Sequence, residues 1–388
     1  MGDDEKGDKI SLVDLLKNKI DEDSFEGKYN ASLRKKVLFI IILLVVSIAV
    51  FFIAVGLGAV DIPLIDTLRV FGRLIFPNIT EPSKEYYADF ILKGRLPRMA
   101  LVVLTGFSLG VAGMMMQGLL RNPLVSPFTL GVSTAASFGA AMAIVLGTAI
   151  IGDAMSTVFF IGNIRFNLSN FVTVLFAFIF AMLSIVIILV LTRDKHMSRS
   201  MVILSGVVIS YLFQAGIMAA KYFSDDDQLR EITLWIMGSL SGANWGTVVI
   251  LLPIVILCSI SLFRMSMDLN ALSQGDEVAS SLGVDVSRMR RKGLIVATFM
   301  TSACLAFTGV IGFIGLMAPH ICRMIIGNDS RYLMPASGLL GVVILSISDL
   351  FCRMIIRPGE LPVGIVLYVI GGLFFIWMVS NRKWSQRI

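Results

Sequence analysis

The sequence predicts an all-α polytopic membrane protein with about ten transmembrane helices per subunit, and three observations carry that prediction. Hydrophobic residues make up 56% of the 388 and charged residues only 15%, where a soluble chain carries roughly a quarter charged. Mean hydropathy is +0.85. Apolar runs of about 20 residues recur along the chain, each long enough to cross roughly 30 Å of hydrocarbon as a helix. The runs do not alternate in polarity, which excludes a membrane β-barrel.

Residues 1–36 form a polar N-terminal extension ahead of the first apolar run. Lys6 stands where myristoylation prefers Ser or Thr, and the charged opening is too long for a cleaved signal peptide. Ile10, Val13, Leu16 and Ile20 recur at helical spacing, predicting a short amphipathic helix on the membrane surface. Arg34, Lys35 and Lys36 abut the first span and place the N-terminus inside.

Ten spans follow, over residues 37–60, 97–119, 128–150, 169–192, 200–222, 244–264, 288–308, 309–326, 333–352 and 362–381. An even number returns the tail, 382–388, to the inside. Lys and Arg favour the inside loops, and the acidic stretch DDDQLRE (225–231) falls outside. The longest outside loop, 61–94, carries Leu64, Leu68, Phe71 and Ile75 on one helical face, predicted to lie along the outer surface. The stretch TGVIGFIGLMAPH (308–320) is Gly-rich and contains Pro319. It predicts an abrupt turn and a broken helix, which is tolerated at membrane depth only under a protein cover.

Composition and motifs exclude several functions. A net charge of +6 and a pI near 9.2 follow from basic inside loops and give no reason to expect nucleic acid. Cys258, Cys304, Cys322 and Cys352 stand singly, without the spacing of a disulfide framework or zinc site. The 21 methionines fit packing within the spans. No HExxH, no GxSxG and no Gly-rich loop ending in Lys-Ser or Lys-Thr occurs, so the chain has no P-loop for ATP. His196 and His320 lack ligand partners at metal spacing and are expected to pack.

The stretch 275–319 is organised differently. Gly275–Val284 is a polar segment of helical composition between two apolar runs, and Gly283 suits a helix C-cap because it tolerates positive φ. Arg288, Arg290, Arg291 and Lys292 follow it. This is either an ordinary interfacial loop or a docking surface for a cytosolic partner. Asp349 and Arg353 stand at i,i+4, where side chains meet on one face. They form a self-neutralising pair, or else Arg353, with Arg357, is displayed for a partner's carboxylate. Arg95 and Arg98, flanking Pro97, fall on the same outer side, against the positive-inside tendency. Gly106, Gly110 and Gly113, and Gly131, Ser133 and Gly139, permit close helix approach. Gln117, Ser210 and Gln214 either line a path or bond between helices.

Four blocks taken together carry a family resemblance. RLPRMALVVLTGFSLGVAGMMMQGLLRNPLVSPFTLGVS (95–133) resembles the second and third spans of the permeases that import iron-siderophores, haem and vitamin B12. GDEVASSLGVDVSRMR (275–290) resembles their coupling segment, here 275–287. GVIGFIGLMAPHICRMIIGNDSRYLMPASGLLG (309–341) and DLFCRMIIRPGELPVGIVLYVIGGLFFIWMV (349–379) resemble their last three spans. The likeness runs over 37–381 and leaves out residues 1–36.

The resemblance implies the permease domain of a type II ABC importer, like that of the vitamin B12 system. It would be a homodimer in the plasma or inner membrane, with both termini cytoplasmic and the path along the two-fold axis. Two copies of a separate cytoplasmic ATPase would dock at Gly275, Glu277, Ala279, Leu282 and Gly283. An extracytoplasmic solute-binding protein would dock at Arg95, Arg98 and Arg353. The inner gate would lie near Met197 and Ser198, with Ser210 and Gln214 along the path. No cofactor is expected in this chain, since ATP and Mg belong to the ATPase. The substrate class is a metal chelate, and the remaining partner is membrane lipid. The rival reading is an ion-gradient-driven secondary transporter, for which Asp349 is the one intramembrane carboxylate on offer.

Overall fold

The computed structural model describes residues 25–58, 62–75, 82, 84–152, 157–161, 164–192, 198–357 and 359–380. The surface helix expected at 10–20, the tail at 382–388 and Met197 lie outside the described residues.

Helices dominate. In chain order they are α1 (Phe25–Gly56), α2 (Leu64–Ile75), α3 (Tyr86–Asp89), α4 (Leu96–Leu120), α5 (Val132–Ile151), α6 (Leu168–Leu191), α7 (Arg199–Phe223), α8 (Asp226–Met237), α9 (Trp245–Arg264), α10 (Ser266–Gln274), α11 (Asp276–Ser281), α12 (Val286–Thr308), α13 (Ile314–Ile326), α14 (Ser330–Ile355) and α15 (Val363–Ser380). A π-helical turn, Phe90–Arg95, joins α3 to α4. A short antiparallel hairpin, β1 (Val158–Ile161) and β2 (Ile164–Asn167), precedes α6.

The ten expected spans correspond to α1, α4, α5, α6, α7, α9, α12, α13, α14 and α15. Seven of these are both long and apolar enough to cross a membrane among the described residues. Part of α5 and the whole of α13 are shorter apolar helices, and the first turns of α12 carry the basic cluster.

α4 is the axis of the bundle and α1 its periphery: the most apolar stretch of the first is 83% buried, that of the second 17%. Water cannot drive one apolar helix against another inside lipid, so association relies on close contact of small residues. That is the geometry found here. A methyl group added to Gly106 or Gly110 would overlap the backbone of Gly341 or Ser337 on α14, and one added to Gly113 would overlap Gly315 on α13. Gly139 of α5 lies likewise against the Phe176 carbonyl of α6.

One expectation needs correction. The eighth span does not start at 309: helix α13 begins at Ile314 and has 13 residues, about 20 Å of rise. The chain before it is irregular, with Gly309 at φ 66° and Phe313 left-handed at φ 64°. Val310 and Ile311 there are buried, so the break sits under a protein cover as irregular backbone at membrane depth requires. The Phe313 ring stacks edge-on against Tyr368 of α15 at 5.5 Å between centroids. Helix α2 forms within the 61–94 loop; it buries Asp66, Thr67 and Val70, leaves Leu68 exposed, and packs Phe71 edge-on against Phe52 of α1 at 5.2 Å.

Gly113→Ala is expected to lower stability by about 1–3 kcal/mol, as overpacking against backbone does. Thermal unfolding of the detergent-solubilised protein measures it, and an unchanged midpoint would remove α4–α13 contact from the account.

Candidate functional site

Helix α4 runs 25 residues, about 37 Å, and a polar cluster sits at each of its ends. The cluster at its C-terminal end contains α11. Gly275 precedes α11 at φ 138° and Gly283 follows it at φ 86°, both in the region that glycine enters without steric cost. The two glycines turn the chain sharply out of α10 and into α12. Gly283 donates its N–H to Ser280 O at 3.0 Å, and Val284 donates to Ala279 O at 3.0 Å, so the short helix closes as a capped unit. Asp285 then caps α12 by accepting from the Arg288 N–H at 2.9 Å.

The faces of α11 are sorted. Ala279 is fully buried, whereas Glu277, Val278 and Leu282 are exposed, the last at 68%. A single small residue anchors the helix and a mixed apolar and acidic ridge projects from the protein. Asp276, which sequence reasoning did not single out, ties this helix down. Its carboxylate accepts Nη2 of Arg290 at 2.7 and 2.8 Å and Nη2 of Arg199 at 3.2 Å. Arg290 was expected as part of an interfacial basic cluster; instead it is buried and donates Nε to Leu119 O at 3.1 Å.

A second network lies nearby. Asp329 caps α14, accepting from Arg331 N, and its carboxylate takes Arg331 Nη2 at 2.8 Å, Asn270 Nδ2 at 2.9 Å and Lys36 Nζ at 3.5 Å. The Arg331 hydrogen bond holds the Asp329 carboxyl well below the usual carboxylate range. Through it α1, α10 and α14 meet in one place.

At the opposite end of α4, arginines meet helix carbonyls. The last carbonyls of a helix have no partner within it. Arg95 Nη1 donates to Val55 O at 2.7 Å and Gly56 O at 2.6 Å. Arg353 donates to Leu57 O and Ala54 O, both at 3.0 Å. Two guanidinium groups thus close the C-terminal end of α1, where the helix dipole also favours positive charge. Asp349, fully buried, faces both Arg353, 2.9 Å away, and Arg98, whose Nη2 donates to it at 2.8 Å. Arg98 also donates Nη1 to Glu360 at 2.7 Å.

The structure therefore forms the Asp349–Arg353 pair and corrects the expectation of an outwardly displayed Arg353, which is only 4% exposed. Arg95 and Arg98 are half-buried, and Arg357 is exposed. The physical reason is the open end of α1, which draws guanidinium inward. Glu360 as a third member of the cluster was not anticipated. It lies more than 260 residues from Arg98.

The residues placed along the path are not gathered into one constellation. Ser198 is the exposed N-cap of α7 with no side-chain cap bond. Ser210 gives its hydroxyl to Gly206 O on its own helix at 2.7 Å. Gln214 is exposed on the same helix. Gln117 bonds between helices: its Nε2 donates to Leu316 O at 3.3 Å, and its Oε1 accepts from Arg323 Nη2 at 3.0 Å.

A bundle of membrane-crossing helices with a small polar helix displayed at one end defines a multi-pass membrane protein of the permease class. The chain belongs to the FecCD transport family, whose profile matches residues 42–381. It is 36% identical to the hemin transport system permease protein HmuU of Yersinia pestis, over 74% of this chain and 82% of that protein. It is 33% identical to the Fe(3+)-citrate import system permease protein YfmE of Bacillus subtilis (strain 168), over 91% and 98%. It also resembles a solved inward-facing ABC transporter, assigned provisionally to the metal-chelate type. The TM-score is 0.73 at 25% identity, covering 88% of this chain and 98% of that one.

Removing a single partner from a buried ion cluster leaves the other charges uncompensated, at about 3–5 kcal/mol. Asp349→Asn is expected at the lower end of that range, because Arg98 keeps Glu360 and Arg353 keeps its two carbonyls. The drop in thermal unfolding midpoint relative to Glu360→Gln would show it; equal effects of the two would deny Asp349 its central place.

Proposed function

We propose that this chain is the membrane-spanning subunit of an ATP-driven importer of metal chelates of the iron-siderophore, haem or cobalamin type. The observation that carries the reading is α11: a capped, glycine-bounded helix held by Asp276 and presenting Glu277, Val278 and Leu282 to solvent, in a chain of the FecCD transport family whose sequence lacks a P-loop. Such a helix is a ready seat for a separate ATPase, which would supply ATP and Mg. Gly275 and Gly283 set its angle and Ala279 its depth. The substrate class is supported by the relatives named for hemin and ferric citrate import.

In this reading α11 and both termini face the cytoplasm, in the plasma or inner membrane, and two copies of the chain enclose the path. The broad exposed face of α7, with Leu204, Val208, Leu212 and Met218 around Gln214, supports a second copy packed there or a path beside it. Met197 and Ser198, just before α7, form the inner gate, and Ser210 and Gln214 face the path. The binding protein docks on the end carrying Arg95, Arg98 and Arg353. There Arg353 acts beneath the surface by holding α1, while Arg98 and Glu360 lie nearer the rim. ATP closure of the ATPase pair moves α11, and the outer and inner ends of the path open in turn.

Two measurements test this. Glu277→Lys is expected to abolish co-purification of the ATPase while leaving the permease folded; intact association would remove α11 from the interface. Proteoliposomes holding the permease with its ATPase and binding protein should accumulate one of ferric siderophore, haem or cobalamin only with ATP inside. Accumulation driven by an imposed ion gradient without any ATPase would overturn the assignment in favour of a secondary transporter.

A further inference from the structure

Asp276 joins three parts of the chain that sequence holds far apart. One leg of its contact, to Arg290, is rigid: Arg290 is buried and pinned to Leu119 O at the end of α4. The other leg reaches Arg199, the first residue of α7, 77 positions away in sequence. Here both side chains are about one-third exposed, 34% and 36%. Arg199 follows directly on Ser198. Beside this leg lies a cavity of about 630 Å³, bordered among others by Arg121, Asn122, Ser198 and Arg199. The first turn of α7 thus has open space on that flank, and the ion pair spans its edge.

We propose that Asp276 is a positioning residue that delivers movement of α11 to the first turn of α7 through its pair with Arg199. The proposal rests on the reading of α11 as the ATPase seat. The backbone beyond α11 leads through Gly283 into α12 and so pulls α12 alone. α7 does not follow directly on α11 in the chain, and among the described residues the Asp276–Arg199 pair is a polar bridge between them. The unequal legs give the device its direction. The buried leg ties Asp276 to α12 and the end of α4, while the solvent-screened leg keeps the first turn of α7 beside α11 as the cavity opens and closes. An exposed pair of this kind biases a two-state equilibrium by a factor of about five at most, which suits a link that must shift a population without freezing it.

The test uses the full complex in proteoliposomes, with ATP hydrolysis and uptake measured on the same preparation. Arg199→Gln is expected to retain ATPase co-purification and hydrolysis while uptake per ATP hydrolysed falls about fivefold. Arg199→Lys, which keeps the charge, is expected to restore most of that ratio. A distance readout accompanies it: spin labels at Ser200→Cys and Ser281→Cys should hold a narrow separation through the ATP cycle, broadening when Arg199→Gln is added. An unchanged uptake-to-ATP ratio in Arg199→Gln would overturn the proposal, as would loss of ATPase association or of folding in that variant, which would make Arg199 merely structural. Failure of the seat itself shows elsewhere, as intact association in Glu277→Lys, so the two outcomes are separable.

Discussion

The contact on which the rest of this structure depends is the backbone-to-backbone approach of α4 to α14 and α13. Inside lipid a leucine gains little by leaving hydrocarbon for another leucine, so helices adhere through close packing and polar bonds. Gly106, Gly110 and Gly113 put that contact along one face of α4, against Ser337, Gly341 and Gly315. The same closeness lets Gln117 reach the Leu316 carbonyl and Arg323 from α4. It also fixes where both ends of α4 emerge, and the two polar clusters are built on those ends.

The two clusters solve different problems with the same residue type. At the Arg98 end, arginine serves the backbone: Arg95 and Arg353 supply donors to the open carbonyls of α1, and Asp349 balances the charge they bring. Gly58 belongs to that arrangement, since a side chain there would meet both guanidinium groups. At the α11 end, arginine serves a side chain. Arg290 and Arg199 converge on Asp276 and set the pose of a helix that buries little of its own. The first cluster is centred on a fully buried carboxylate, Asp349. The second is half open, with Asp276 and Arg199 each about one-third exposed.

Much of this was legible in the sequence because membrane spans declare themselves by length and hydropathy. Eight of the ten expected spans match a helix within a few residues at both ends, the first helix begins well ahead of its expected start, at Phe25, and the eighth span was expected to be broken by the glycines around Phe313. The turn at Gly283 was legible from its residue type, and the Asp349–Arg353 pair from its i,i+4 spacing. What was not legible depended on contacts across the chain. Nothing local says that Arg353 meets Ala54, 299 positions away, or that Arg290 turns inward while its neighbours Arg288 and Arg291 stay exposed. Asp276 looked like one more acidic residue at a helix start, where such residues are common.

The capping of α1 also has a consequence for how the chain is made. α1 is the first of these helices to leave the ribosome, yet the Arg353 guanidinium that completes its end lies 296 residues beyond Leu57. At about 5–20 residues per second, that interval lasts on the order of 15–60 seconds. Throughout it α1 sits in lipid with little packing of its own and with carbonyls still waiting for their donor. The earliest helix is therefore finished by nearly the latest, and a chain cut short before α14 carries an open helix end that betrays it as incomplete.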